Sequence, residues 1–367
     1  MYNSGANQSS ATNVYGLSLK SRAISQVSAE SDLNRFLVGT QALKEDNEIC
    51  LIEEKENEGV KCVAIYAHPK EIWSITSCTF DANQLFTVYN TGAKYSASLW
   101  SMDTENSALD EVCELKGHTG YIKPILCDPS GSSDYVVSLD DTEIRLWSNI
   151  TTSSPTVLTT FGRLNKLTAG CINPNKANQL ATANDVNIKG WDFRSGKESF
   201  AIDKAHSDLI RDIDFNPNNQ YYMLSAGDDC KLKFWDTRQT KEPLRIFAGH
   251  DHWIWNAKYN KYHDQLVITS SSDHKVKLWH AYTISSAVTS EAKEGGDNAD
   301  QPAPQPTSGK KNKRKEDKLI KTFEEHEDSV YGVCWGSSGF NFASLSYDGR
   351  VVINNVPKEY CDLLTME

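Results

Sequence analysis

His206–Trp235 reads HSDLIRDIDFNPNNQYYMLSAGDDCKLKFW, and the order of its parts decides the fold. A histidine opens it, a short apolar-alternating run follows, and Asn216-Pro217-Asn218 breaks that run with turn-forming residues. A second run ends at the Asp228-Asp229 turn, and a third, Lys231–Trp235 (KLKFW), alternates inward and outward positions as a half-buried strand does. The same unit recurs elsewhere. His118 precedes Trp147, His206 precedes Trp235 and His250 precedes Trp279, each by 29 residues, and Asp141, Asp229 and Asp273 each stand six residues before their tryptophan.

Used as a ruler, the Asp-to-Trp interval finds Asp185 before Trp191. It also finds degenerate copies in which Asn354 follows Asp348, Ile52 follows Asp46, and Trp100 stands without its Asp. The third strands therefore end near 52, 100, 147, 191, 235, 279 and 354, at intervals of 48, 47, 44, 44, 44 and 75. A four-stranded propeller blade of the WD-repeat kind takes about 40–45 residues. The reading is an all-β, seven-bladed WD40 β-propeller over 14–357, with the excess of 75 − 44 = 31 residues inserted into blade six. Lys318–Phe323 (KLIKTF) stands before Glu325-His326 as Pro243–Phe247 stands before Gly249-His250, so it is an outermost strand. The insert, about 283–317, then lies between the third and fourth strands of its blade, on the face opposite the His and Asp turns. It is rich in Ser, Gly, Pro and Lys and is expected to be disordered. Residues 1–13 read as a flexible tail and 358–367 as a tail or closing strand, with Val14–Leu19 as the other candidate for closing the ring.

The net charge of −11 argues against a nucleic-acid partner, and no apolar run approaches the roughly 20 residues of a membrane span. The start, MYNSGANQSS, lacks the basic and apolar regions of a secretory signal, so a cytosolic chain is expected. Nine cysteines without a C-x-x-C pair read as reduced thiols, and nine histidines show no H-E-x-x-H and no zinc spacing. No metal and no cofactor is expected. The basic run Lys310, Lys311, Lys313, Arg314 and Lys315 reads as solvated charge, an acidic-partner or membrane patch, or an import signal.

Histidine, a hydroxyl residue and aspartate recur together, which invites a hydrolase reading. The sets are His206, Ser225, Asp229 with Trp235; His250, Thr269, Asp273 with Trp279; and His326, Ser344, Asp348. A catalytic centre is one special set, whereas these repeat with the period of the fold, so they read as structural ties between strands and the chain as no enzyme.

Counting from each histidine, position +4 is apolar (Ile72, Ile122, Ile210, Ile254, Val330), as a buried innermost strand requires. Position +5 points the other way, toward the rim of the central channel, and reads Trp73, Lys123, Arg211, Trp255 and Tyr331. Large aromatics and arginine are the residue types that dominate interface energetics. These five are the candidate partner-binding residues. For Trp73, Trp255 and the nearby Trp253 the competing reading is that they fill gaps between blades.

Longer strings carry a narrower likeness. Phe36–Gln41 (FLVGTQ), Ala181–Asp192 (ATANDVNIKGWD), Arg211–Tyr222 (RDIDFNPNNQYY), Gly227–Arg238 (GDDCKLKFWDTR), His250–Leu266 and Glu324–Asn354 resemble the EARP-interacting protein family across about 14–357. The resemblance implies a cytoplasmic adaptor, monomeric apart from the complex. Its partners would be subunits of the endosome-associated recycling (EARP) and Golgi-associated retrograde (GARP) tethering complexes. It further implies help in bringing those tethers to endosomes and the trans-Golgi network, in endosomal recycling, retrograde transport and dense-core vesicle traffic. The insert departs from the family, which is often acidic there while this sequence ends basic. A rival likeness lies in Trp191-Asp192-Phe193-Arg194 and Trp235-Asp236-Thr237-Arg238, since W-D-x-R resembles the motif by which WD proteins dock on the adaptor of cullin ubiquitin ligases as substrate receptors, and a generic WD scaffold of another pathway is the further alternative.

Overall fold

The computed structural model describes residues 13–365 apart from 44–45, 56–57, 93, 133–134 and 289–315. The described strands form seven four-stranded antiparallel sheets arranged as propeller blades. In blade 5 the innermost strand Ile210–Phe215 pairs with Tyr222–Gly227, that strand with Lys231–Asp236, and the last with outermost Arg245–Ala248. Every ruler position, from Ile52 and Trp100 to Asn354, falls in the third strand of its own blade. The turn before the third strand has a backbone reason for its Asp. The next residue is left-handed (Cys230 at φ 61°, His274 at 67°, Gly349 at 82°), which folds the chain back so that the Asp carboxylate caps the following amides.

The core lies between blades. Leu37, Ile49 and Tyr66 of blade 1 pack on Ile72, Leu85 and Trp100 of blade 2. The same kind of cluster recurs at each of the other junctions, ending with Phe36, Val38 and Ile52 of blade 1 against Ala343, Val351 and Ile353 of blade 7. Both faces of a blade are thereby covered, which explains strands buried at every position, such as Leu266–Ser271.

Ring closure is settled in favour of the N-terminal segment. Val14–Gly16 pairs with Arg350–Asn355, the third strand of blade 7, in the register Val14↔Val352, Tyr15↔Val351, Gly16↔Arg350. Asn13 contributes as well, its carbonyl accepting from the Ile353 amide at 2.8 Å, so the expected flexible tail ends one residue earlier, and 1–12 lie outside the described residues. The C-terminal segment is neither tail nor strand. Lys358–Thr365 is a helix whose Tyr360 and Leu364 are buried against the junction of blades 6 and 7.

The insert sits where its spacing placed it, after third strand Val276–His280 and before outermost strand Lys318–Phe323 of blade 6. Its expected disordered boundary at 283–317 is too wide. Tyr282–Ile284 form a 3-10 turn with Tyr282 and Ile284 buried. Asp317 receives the Thr283 amide at 2.8 Å and Arg245 Nε at 3.1 Å, and Asp264 receives the Ser286 amide at 2.8 Å. These bonds clamp the two ends of the insert together at the blade edge. Residues 289–315, and with them the basic run, lie outside the described residues.

Candidate functional site

The His–hydroxyl–Asp sets form as hydrogen-bonded chains. In blade 5, His206 Nδ1 meets Asp229 at 2.8 Å and its Nε2 meets Ser225 Oγ at 2.7 Å, while Trp235 Nε1 donates to the same Oγ at 2.8 Å. Blade 6 repeats this with His250, Asp273, Thr269 and Trp279, each contact between 2.8 and 2.9 Å. In blade 7, His326 meets Ser344 at 2.8 Å and Asp348 at 3.4 Å, and Asn354 Nδ2 replaces the indole at 3.1 Å. The directions are fixed by the donors available. Trp N–H donates to the hydroxyl, the hydroxyl to His Nε2, and His Nδ1–H to the carboxylate, which requires a neutral ring. Burial lowers the pKa of His206, His250 and His326, in keeping with that wiring. Burial pushes Asp229 up, but the hydrogen bond from His206, with the Lys233 charge and the Ser207 amide nearby, outweighs it and holds the carboxyl at about 2.

The wiring matches a serine-hydrolase triad, but the nucleophile position does not. Ser225, Thr269 and Ser344 are wholly buried, and each oxygen already accepts from the Trp indole or the Asn amide. No substrate atom can reach such a hydroxyl. Replacing Ser225 by Ala strands two buried groups, the Trp235 indole N–H and His206 Nε2, at about 2–4 kcal/mol in total. The denaturant midpoint should fall accordingly at unchanged slope, and an unaltered midpoint would contradict the tie.

One member of the pattern was misplaced by the spacing. His118 pairs with Asp140 at 2.9 Å and Ser138 at 2.6 Å, whereas Asp141 instead receives Lys123 at 2.9 Å and the Tyr121 amide at 3.0 Å. The turn is one residue shorter here, since nine residues separate Ser138 from Trp147 but ten separate Ser225 from Trp235. Counting back from Trp147 therefore lands one residue late. Another tie was missed: His68, Thr87 and Trp100 form a set in blade 2, with the Lys70 carbonyl standing in for the Asp. His118, Asp140 and Glu143 come close enough together to resemble metal ligands, but both His118 nitrogens are engaged and Glu143 holds Arg145 Nε at 2.9 Å.

All five rim residues gather at the mouth of the channel, on the face where the His and Asp turns open. The cause is a repeated irregularity. The register of the innermost strand shifts at Ile72/Ser74, Ile210/Asp212, Ile254/Asn256 and Val330/Gly332, so that Trp73, Arg211, Trp255 and Tyr331 are the extra residues of β-bulges turned toward the axis. The same shift occurs at Ser21/Ala23 and Leu167/Ala169, which adds Arg22 and Thr168 to the ring. Blade 3 departs from the rule. Pro124 lacks the N–H a ladder needs, its innermost strand shrinks to Leu126–Cys127, and Lys123 reaches the rim from an irregular segment. Trp73, Lys123, Arg211 and Tyr331 line a channel cavity of about 870 Å³, together with Arg22, Tyr95 and Tyr121.

Around this mouth the aromatic rings and cations form contiguous stacks. Trp253 meets Trp255 edge-on at 6.2 Å, Trp255 meets Tyr331 at 4.8 Å, and Tyr331 meets Tyr347 at 5.8 Å. On the other side Trp73 packs on Tyr95 at 5.7 Å and Tyr95 on Tyr121 at 4.6 Å. Arg211 lies over Trp255 at 4.5 Å while holding Asp228 through two bonds of 2.7 and 2.8 Å. The gap-filling alternative applies to one tryptophan in part. Trp255 is half-buried, bridges blades 5, 6 and 7 and donates to Ser272, whereas Trp73 and Trp253 are 36% and 41% exposed. The W-D-x-R segments lie on the opposite face, where Arg238 closes onto Asp236 at 2.6 Å and stacks on Tyr221 at 4.2 Å.

Seven blades, four of them tied by His–hydroxyl–Asp chains, with a bulged rim at the channel mouth, define a WD-repeat β-propeller, and residues 317–354 match the WD-domain G-beta repeat. The chain belongs to the EIPR1 β-propeller family, which matches residues 9–279. It is 58% identical to the EARP-interacting protein homolog of Dictyostelium discoideum over the full length of both chains. It is 40% identical to the human EARP and GARP complex-interacting protein 1, over 94% of this chain and 96% of the relative. A plant relative, WD repeat-containing protein DWA2 of Arabidopsis thaliana, is 34% identical over 93% of this chain and 95% of its own length. Among the described residues no helix is long and apolar enough to cross a membrane.

Proposed function

We propose that this protein is a non-catalytic adaptor that binds EARP- and GARP-type tethering complexes through the rim of its propeller channel. By holding the tether it promotes recruitment to endosomal and trans-Golgi membranes, and so supports endosomal recycling, retrograde transport and dense-core vesicle traffic. The observation that carries the reading is the rim itself, where exposed tryptophans and stacked cations form one surface on a rigid ring. Such side chains offer large contact area at low entropic cost. The names of relatives at 58% and 40% identity, an EARP-interacting protein homolog and an EARP and GARP complex-interacting protein, support the choice of partner. Affinity recovery of the full-length protein from cells tests it. Tether subunits should be recovered without the cullin-ligase adaptor; stoichiometric adaptor with no tether would overturn the reading in favour of a substrate receptor.

A further inference from the structure

The cations of the rim are not equivalent. Arg211 is satisfied by Asp228, and Lys123 by Asp141. Arg22 is stacked over Tyr331 at 4.0 Å and flanked by Trp255 at 5.5 Å and Trp73 at 5.6 Å. The Tyr331 ring meets the guanidinium carbon of Arg22. The in-plane N–H donors of Arg22 have no hydrogen-bond acceptor and no carboxylate partner among the described residues. Two residues earlier, Lys20 lies over Tyr347 at 4.2 Å, also without an ion pair among the described residues, and Tyr347 touches Tyr331. The aromatic walls thus hold in place two cations whose charge the described residues leave unanswered.

We infer that Arg22, with Lys20 beside it, is a carboxylate-binding site that receives Asp or Glu side chains of an extended acidic peptide segment laid across the rim. A guanidinium fixed by stacking keeps its planar donor fork ready for a carboxylate. In an extended segment alternate side chains share one face, so acidic residues two apart can both face the cations of the mouth. An anionic membrane fits less well. The site offers two cations in a concave mouth rather than the polybasic patch that an anionic surface requires. The inference rests on the rim being the partner surface.

The test uses the purified full-length protein and a labelled peptide of alternating glutamate and leucine, with the glutamine–leucine peptide of equal length as control. Fluorescence anisotropy should show the glutamate peptide binding at least about tenfold more tightly than the glutamine one, the size expected for a charge-assisted hydrogen bond. Arg22→Ala should erase that preference, and Arg22→Lys should keep part of it. Equal affinity for the two peptides, or a preference that survives Arg22→Ala, would overturn the inference, as would binding confined to phosphatidylserine vesicles. Tether recovery is scored separately. A wild-type protein that discriminates the peptides yet recovers no tether refutes the adaptor reading alone, and one that recovers tether without discriminating refutes the carboxylate site alone.

Discussion

A chain that begins at Ser18 should lose the closed ring. Without Val14–Gly16, the third strand of blade 7 exposes an edge of Val351, Val352 and Ile353, whose ladder partners are the deleted residues and Asn13. The amide of Leu17 also gives up its bond to the Gly349 carbonyl, and Tyr15 and Leu17 leave the cluster that seals blade 7 against blade 1. Four or five ladder bonds at about 1 kcal/mol each, and two half-buried side chains, sum to about 5 kcal/mol or more. That is a large part of the 5–15 kcal/mol typical of a folded protein, and Tm should fall by at least about 10 °C. The open edge should also pair between molecules, visible as oligomers in size-exclusion chromatography with light scattering. Removing 358–367 strips Tyr360 and Leu364 from the core and should lower Tm while leaving the protein monodisperse. The opposite pattern would place closure in the C-terminal segment.

Replacing Trp73 and Trp253 together by Ala should weaken tether binding by at least about a hundredfold with Tm unchanged within a degree or so. Central aromatic anchors contribute about 2 kcal/mol or more each at protein interfaces, and a hundredfold corresponds to about 2.7 kcal/mol. The choice of residues follows from the structure. On sequence alone Trp255 and Arg211 are the natural pair to remove from a folded rim. Arg211→Ala, however, strands the Asp228 carboxylate, which is only 8% exposed, and Trp255→Ala opens the contact between blades. Loss of binding in that pair would mix partner contact with fold, whereas Trp73 and Trp253 stand at the surface. Wild-type affinity of the Trp73/Trp253 variant would remove the rim from the interface.

What the sequence made legible was what recurs. Asp and Trp at a fixed separation located the third strand of every blade, including two that lack the tryptophan, because that strand is packed on both faces and its length is constrained. Features set by single local choices were hidden. The closing strand is three residues, Val-Tyr-Gly, too short to show an alternation. Asp140 and Asp141 are adjacent, and only the length of the preceding turn tells which one faces His118. Arg22 was missed because the count started from histidines, and Leu17 stands where blade 1 would have one; the same count of five from Leu17 arrives at Arg22. Nor does any pattern distinguish a satisfied cation from a free one. That difference between Arg211 and Arg22 depends on Asp228, which lies 17 residues on, in the turn between the second and third strands of the blade.

Lysine crosslinking of the purified protein to the intact tether, read by mass spectrometry, tests the adaptor account most directly. Lys20 and Lys123 lie at the channel mouth, while Lys176 and Lys241 lie in turns that open on the opposite face. Crosslinks to the tether concentrated at Lys20 and Lys123, and absent from Lys176 and Lys241, are the predicted result. Crosslinks confined to Lys176 and Lys241 would contradict it.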